Sequence, residues 1–148
     1  MIRVHSTAVA LGDDGILFRG PSGSGKSELA LRLIDEGARL VADDQTELRR
    51  FGAALRMSAP GTIAGHLEVR GVGILRVPSV AWAALRLVID LVPEAAVERL
   101  PEPRFCELEG LSFPLLALWP HSAATPAKLR LALRALRVSL GVGARVAS

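Results

Sequence analysis

Cysteine is almost absent. Cys106 stands alone among 148 residues, which excludes an intramolecular disulfide and any zinc site built from several cysteines, and points to a reducing, cytoplasmic setting. Tyrosine is missing, and only four Phe and two Trp are present, so the basic surface interleaved with aromatics that single-stranded nucleic acid would need is not there. Nucleic acid is set aside as a partner. The balance of 18 basic against 15 acidic residues leaves a net charge of only +3, although the sequence pI is near 10.0. Long apolar runs are lacking too. The longest stretch free of Asp, Glu, Lys and Arg, from Gly110 to Ala127, is broken by Pro114, Pro120, His121 and Pro126, so no membrane helix is expected. The N-terminus enters an apolar stretch that ends at Asp13-Asp14, without the cleavage pattern of a secretory signal. Lysine is the last scarcity: the basic residues include only two lysines, Lys26 and Lys128.

What is present suffices for a core. Half of the residues are hydrophobic and 22% are charged, which excludes a disordered chain and fits one domain. Val4 to Leu11 reads as a strand, Gly12-Asp13-Asp14-Gly15 as a turn and Ile16-Leu17-Phe18 as a second strand. From Ser27 to Glu36 the apolar residues Leu29, Ala30, Leu33 and Ile34 share one helical face, and Gly37 suits the helix C-terminus. Arg39–Ala42 follows as a buried strand, completing strand, glycine loop, helix, strand within the size of a βαβ unit. The middle is strand-rich, with strands expected at Thr46–Arg50, Ala54–Ser58, His66–Val69 and Arg86–Leu91, and a helical turn at Ala81–Leu85. Phe105–Leu108 and Leu111–Leu118 are the last strands. A closing helix has Thr125 as N-cap and Pro126 in its first position, with Leu129, Ala132, Leu133 and Leu136 opposite Arg130, Arg134 and Arg137. The expected fold is α/β: a strand-rich core with a phosphate-loop helix and a C-terminal helix, residues 1–140 forming the domain and 141–148 a flexible tail.

Gly20-Pro21-Ser22-Gly23-Ser24-Gly25-Lys26-Ser27 fits the phosphate-binding pattern G-x-x-x-x-G-K-[ST]. Glycines let the loop curl so that backbone N–H groups face phosphate oxygens, and the helix start adds partial positive charge. Lys26 would then reach the β- and γ-phosphates of ATP, and the Ser27 hydroxyl would ligate Mg²⁺. A flexible Gly/Ser loop explains neither the strand before it nor the helix after it. Asp43-Asp44 comes at a strand end, where phosphate-loop proteins place the carboxylate that supports Mg²⁺. In a strand the two would point to opposite faces, one toward the metal and one free to accept a proton from an attacking hydroxyl. Three weaker candidates are His5 beside the first strand, Glu68 as a further Mg²⁺ contact before the Gly71-Val72-Gly73 turn, and Arg99 as a stabiliser of transferring phosphate. His66 and His121 read as structural.

Taken together, these motifs resemble HPr kinase/phosphorylase, a bacterial enzyme family that phosphorylates a serine of the phosphocarrier HPr in the phosphotransferase system that governs carbohydrate use. The similarity spans roughly His5 to Leu100, and is carried by Gly20–Glu28, by Arg39-Leu40-Val41-Ala42-Asp43-Asp44 and by Leu67-Glu68-Val69-Arg70-Gly71-Val72-Gly73-Ile74. The resemblance implies a catalytic domain of HPr kinase C-terminal type, ATP and Mg²⁺ as cofactors and an HPr-like protein as acceptor. It also implies roles: His5 as the active-site histidine, Lys26 as the loop lysine, Ser27 and Glu68 as magnesium ligands, and Arg99, within Val97-Glu98-Arg99-Leu100, as the active-site arginine. The family's aspartate, base in the kinase reaction and acid in dephosphorylation, falls in the Asp43-Asp44 pair, with Asp44 favoured. The departures are informative. The chain begins almost at the catalytic domain, without the family's extra N-terminal domain, and so looks like a short form. The Pro- and Arg-rich loop linked to phosphorolysis should lie around Leu115–Lys128, where Leu118 to Pro126 does not contain it. Kinase action is therefore expected, and phosphorylase action is left open. Pro21 stands where the loop usually carries an acidic residue. Two other readings are kept: a phosphate-loop kinase of small molecules, disfavoured because no stretch between Leu48 and Leu118 resembles a helical lid, and a non-catalytic ATP-sensing module, disfavoured by the intact Asp43, Asp44 and Glu68. A homo-oligomer is compatible with all three.

Overall fold

The computed structural model describes residues 1–141; the expected tail falls, beyond Gly141, outside the described residues. Eleven strands, two α-helices and one short 3₁₀ turn follow in the order β1 (Ile2–His5), β2 (Thr7–Leu11), β3 (Asp14–Arg19), α1 (Lys26–Asp35), β4 (Arg39–Ala42), β5 (Gln45–Phe51), β6 (Ala54–Ser58), β7 (His66–Val69), β8 (Gly73–Arg76), β9 (Ala83–Leu91), the 3₁₀ turn Glu94–Ala96, β10 (Phe105–Leu108), β11 (Leu111–Leu118) and α2 (Thr125–Gly141). The architecture is mixed α/β and strand-rich, as expected.

Nine strands make one sheet. Its main path runs β1-β5-β6-β9-β3-β2-β4, and β9 is where it forks. The first residues of β9 pair with β6 at Met57↔Ala83 and Arg56↔Ala84, whereas its last residues pair in parallel with β11, from Leu115↔Val88 to Leu118↔Leu91. Its other edge pairs in parallel with β3. Thus β3, β9 and β11 all end on one side, and the loop after β3 opens at the carboxyl ends of parallel strands, where open α/β sheets place their ligands.

Alternation along the central strands sorts the core into two layers. Val9, Ile16, Phe18, Leu87 and Ile89 face α1 and α2, meeting Leu29, Leu33, Leu129 and Leu133. Ala8, Ala10, Leu17, Leu85 and Val88 face the other way, onto Leu48, Leu55, Met57, Phe113 and Leu115. Both faces of β3 are covered, which is why Ile16, Leu17 and Phe18 are all fully buried.

Three local expectations are corrected. The apolar run Val4–Leu11 is two strands, not one: β1 pairs with β5 and β2 with β3 and β4. The chain changes partner at fully buried Ser6, whose N–H donates to the Asp44 carbonyl at 3.1 Å while its carbonyl accepts from the Thr46 hydroxyl at 3.3 Å. Ala81–Leu85 is not a helical turn, because Ala83, Ala84 and Leu85 already belong to β9, where sheet pairing overrides alanine's helical propensity. Thr125 does not cap α2: its hydroxyl donates instead to the Trp119 carbonyl at 2.7 Å, fixing the preceding loop. The end of α1 follows expectation closely. Gly37 has φ 107° and donates to the Ile34 carbonyl, and Ala38 donates to that of Leu33, a Schellman closure that needs the left-handed conformation glycine adopts without strain.

Candidate active site

Gly20–Gly25 leaves β3 and turns into α1. Gly25 takes φ 99° and leaves the first turn of α1 without a side-chain cap, so the N–H groups at the helix start remain available to an anion. A Cβ at Gly25 would lie 3.0 Å from Pro120 Cγ and 3.1 Å from His121 Cε1, so only glycine fits both the backbone angle and the space. The segment lying on Gly25 is itself tied to α1. Arg32 donates to the Ser122 carbonyl at 3.1 Å and to the Pro120 carbonyl.

Lys26 is nearly buried and its ammonium is wrapped by the loop, donating to the Gly20 carbonyl at 2.7 Å and the Pro21 carbonyl at 2.9 Å. Burial pulls this ammonium below its ordinary range, against the opposing pull of Asp44 and Asp43. A triphosphate would therefore meet a cation that lacks full compensation.

The two aspartates occupy different environments. Their divergence comes from a bend after β4, with Asp44 at φ 72°, and not from strand alternation. Asp43 is 7% exposed: its Oδ1 accepts from Ser27 Oγ at 2.7 Å and Thr7 Oγ1 at 2.9 Å, and its Oδ2 accepts from the Glu68 N–H at 3.2 Å. Asp44 has its side chain 70% exposed, with Oδ1 at 3.0 Å from His5 Nε2. One carboxylate is thus consumed in holding the site together. The other is presented to solvent beside an imidazole.

His5, Lys26, Ser27, Asp43, Asp44 and Glu68 all line one cleft of about 220 Å³, along with Ser22, Gly23 and Gly25 of the loop. These six expected site residues, from four separate parts of the sequence, are brought together with three expected residues of the loop. Arg99 is not among them. It lines a separate cavity with Val97, Arg104 and Lys128. Conversely, Thr7 and Arg70 line the cleft although neither stood out as a site residue in the sequence. Arg70 lies within the Leu67–Ile74 motif that carries the resemblance but had no role assigned to it there, and an isolated threonine in an apolar strand carries no motif.

The donor set suits a hard cation. The Ser27 hydroxyl donates a hydrogen bond to Asp43, which leaves its lone pairs free, and the exposed Glu68 carboxylate faces the same cleft. Among the described residues no group of three or more His, Cys, Asp or Glu is arranged as a metal site. Few protein oxygens with room for phosphate and water is the arrangement Mg²⁺ favours, unlike zinc.

Comparison with known proteins gives the family of the chain and a likeness of fold. The family model for the HPr serine kinase C-terminal domain matches residues 1–92. The chain belongs to this family. A curated HPr kinase/phosphorylase from Clostridium tetani is 49% identical over 89 residues, covering 60% of the chain and 28% of that protein. One from Caldanaerobacter subterraneus subsp. tengcongensis is 40% identical over 114 residues, covering 74% and 37%. The chain therefore spans about a quarter to just over a third of the length of these family members. A solved structure described as the HPr(Ser) kinase/phosphatase from Coxiella burnetii superposes with TM-score 0.84 at 27% identity, covering 95% of the chain and 93% of its own. Family membership thus rests on the N-terminal 92 residues, which carry the whole cleft, and the fold likeness extends through β11 into α2. Among the described residues no helix is long and apolar enough to cross a membrane.

Proposed function

We propose that the chain is an ATP- and Mg²⁺-dependent protein serine kinase whose acceptor is an HPr-like phosphocarrier protein, acting in the cytoplasm. The observation that carries this reading is the division between the aspartates: a satisfied Asp43 on Ser27 and an exposed Asp44 paired with His5. An ATP-sensing module needs the first and has no use for the second. A small-molecule kinase would close a helical lid over its substrate, and between β5 and β11 the chain has only the three-residue turn Glu94–Ala96.

The loop N–H groups and Lys26 receive the triphosphate, and Lys26 exchanges the Gly20 and Pro21 carbonyls for phosphate oxygens. Ser27 and Glu68 would hold Mg²⁺, which would supply charge neutralisation on the phosphate oxygens. Asp44 takes the proton of the incoming serine hydroxyl as its oxygen attacks the γ-phosphorus, while the bond to the β,γ-bridging oxygen breaks and ADP leaves. His5, at 3.0 Å, orients the Asp44 carboxylate. The cleft is open at Asp44, where a protein loop bearing a serine can enter. Arg99 has no step in this scheme.

Asp44→Asn is expected to cut phosphoryl transfer to HPr by about 100-fold or more while leaving ATP affinity within about two-fold. Asp43→Asn should weaken Mg²⁺-dependent ATP binding itself. Equal transfer rates in wild type and Asp44→Asn would overturn Asp44 as the base.

A further inference from the structure

Asp43 joins three elements through one carboxylate: Ser27 at the start of α1, the Glu68 N–H on β7 and the Thr7 hydroxyl on β2. The first two contacts lie within the nucleotide site as read above. The third has no role there. Thr7 is fully buried on the face of β2 that looks toward α1, and its hydroxyl donates to the same Asp43 oxygen that accepts from Ser27.

We propose that Thr7 is a positioning residue that locks the Asp43 carboxylate so that one oxygen serves the phosphate loop and the other holds the β7–β8 hairpin over the cleft. A carboxylate with two donors on Oδ1, from β2 and α1, cannot rotate without breaking a charge-assisted hydrogen bond. With Oδ1 fixed, Oδ2 faces the Glu68 N–H, and the hairpin brings the Glu68 and Arg70 side chains into the cleft. The hairpin needs such a tether. It is a separate two-stranded sheet, anchored to the core by Leu67 and Val69 and followed by backbone hydrogen bonds of Pro78 and Val80 to Leu40, but carrying Val72 and Ile74 at 67% and 71% exposure. Isolated two-stranded hairpins are marginal in water. Thr7 thus couples the loop that receives the triphosphate to the hairpin that carries Glu68, a reading that rests on the proposed nucleotide site for its Mn²⁺ and kinetic consequences and on the hydrogen bonds alone for the exchange of the Glu68 amide.

Thr7→Val keeps shape and volume and removes only the hydroxyl. The Glu68 amide should then exchange with deuterium about 10-fold faster or more, as read by NMR, and Mn²⁺ affinity in the presence of a non-hydrolysable ATP analogue should fall about 5-fold or more. In the transfer assay kcat should fall while KM for ATP stays within about two-fold, because the loop keeps its own contacts. Thr7→Ser should restore all three. If Thr7→Val does not fold, Thr7→Ala against Thr7→Ser gives the same comparison. Wild-type exchange at Glu68 and wild-type Mn²⁺ affinity in the variant lacking the hydroxyl would overturn the proposal. Absence of transfer in the wild type would overturn the kinase reading instead, leaving the exchange and Mn²⁺ results to decide the role of Thr7.

Discussion

At the residue scale, Lys26 concentrates the chemistry of the site. A chain that uses Arg for nearly all its positive charge places one of its two lysines inside the loop, where a compact ammonium can be ringed by carbonyls. Burial lowers its proton affinity. Between that lowered value and the ordinary one the unfolded chain holds more of this proton than the folded chain, so this group adds stability as pH rises through that window. A bound triphosphate reverses the shift by favouring the ammonium. ATP binding at alkaline pH should therefore take up protons, and calorimetric titration in two buffers of different ionisation heat should give different apparent enthalpies. Identical enthalpies would contradict it. Much of this residue chemistry was legible beforehand, because the loop motif fixes each atom by its spacing. Divided roles for Asp43 and Asp44 were expected, but the backbone that buries one carboxylate and exposes the other was not legible. It depends on the left-handed bend at Asp44, and nothing in the letters Asp-Asp distinguishes a bend from a strand.

Among the elements, α1 is defined by its two glycines, Gly25 at its start and Gly37 at its end. Gly25→Ala meets both a left-handed backbone and the Pro120-His121 segment, so it should cost about 1–3 kcal/mol of stability. Chemical denaturation reads that loss, and ATP affinity should drop with it because the loop must shift. A stability change below about 0.5 kcal/mol would show that the 119–122 segment yields freely. Elements bounded by turn residues were readable to the residue: β4, β6, β7, β10 and β11 have the limits the sequence led one to expect. Those without punctuation were not. Val4–Leu11 contains no Gly or Pro, only the polar triplet His5-Ser6-Thr7, and the change of pairing at Ser6 is decided by which strands lie on either side. Ala81–Leu85 carries alanines that favour a helix locally, and tertiary pairing with β3 and β6 prevails.

In the whole molecule, the forked sheet explains why the site lies where it does. The parallel set β3, β9 and β11 sends the phosphate loop and the 119–124 connection to one end. Asp43-Asp44, following β4 across the antiparallel strand β2, arrives beside them. The same topology separates Arg99. The segment after β9 turns away over Leu115–Leu118 and lines a cavity with Lys128 of α2, so a residue matched by a short sequence likeness lies outside the cleft. Pairing of distant segments is a property of the fold, and a four-residue likeness does not encode it. The proposed kinase centre stands or falls on phosphoryl transfer by this chain. Its most direct test is incubation of the purified chain with ATP, Mg²⁺ and HPr, followed by mass spectrometry of HPr. The expected product is HPr carrying one phosphate on a serine, formed only with Mg²⁺ and lost with Asp44→Asn. ATP binding accompanied by unmodified HPr would contradict the claim.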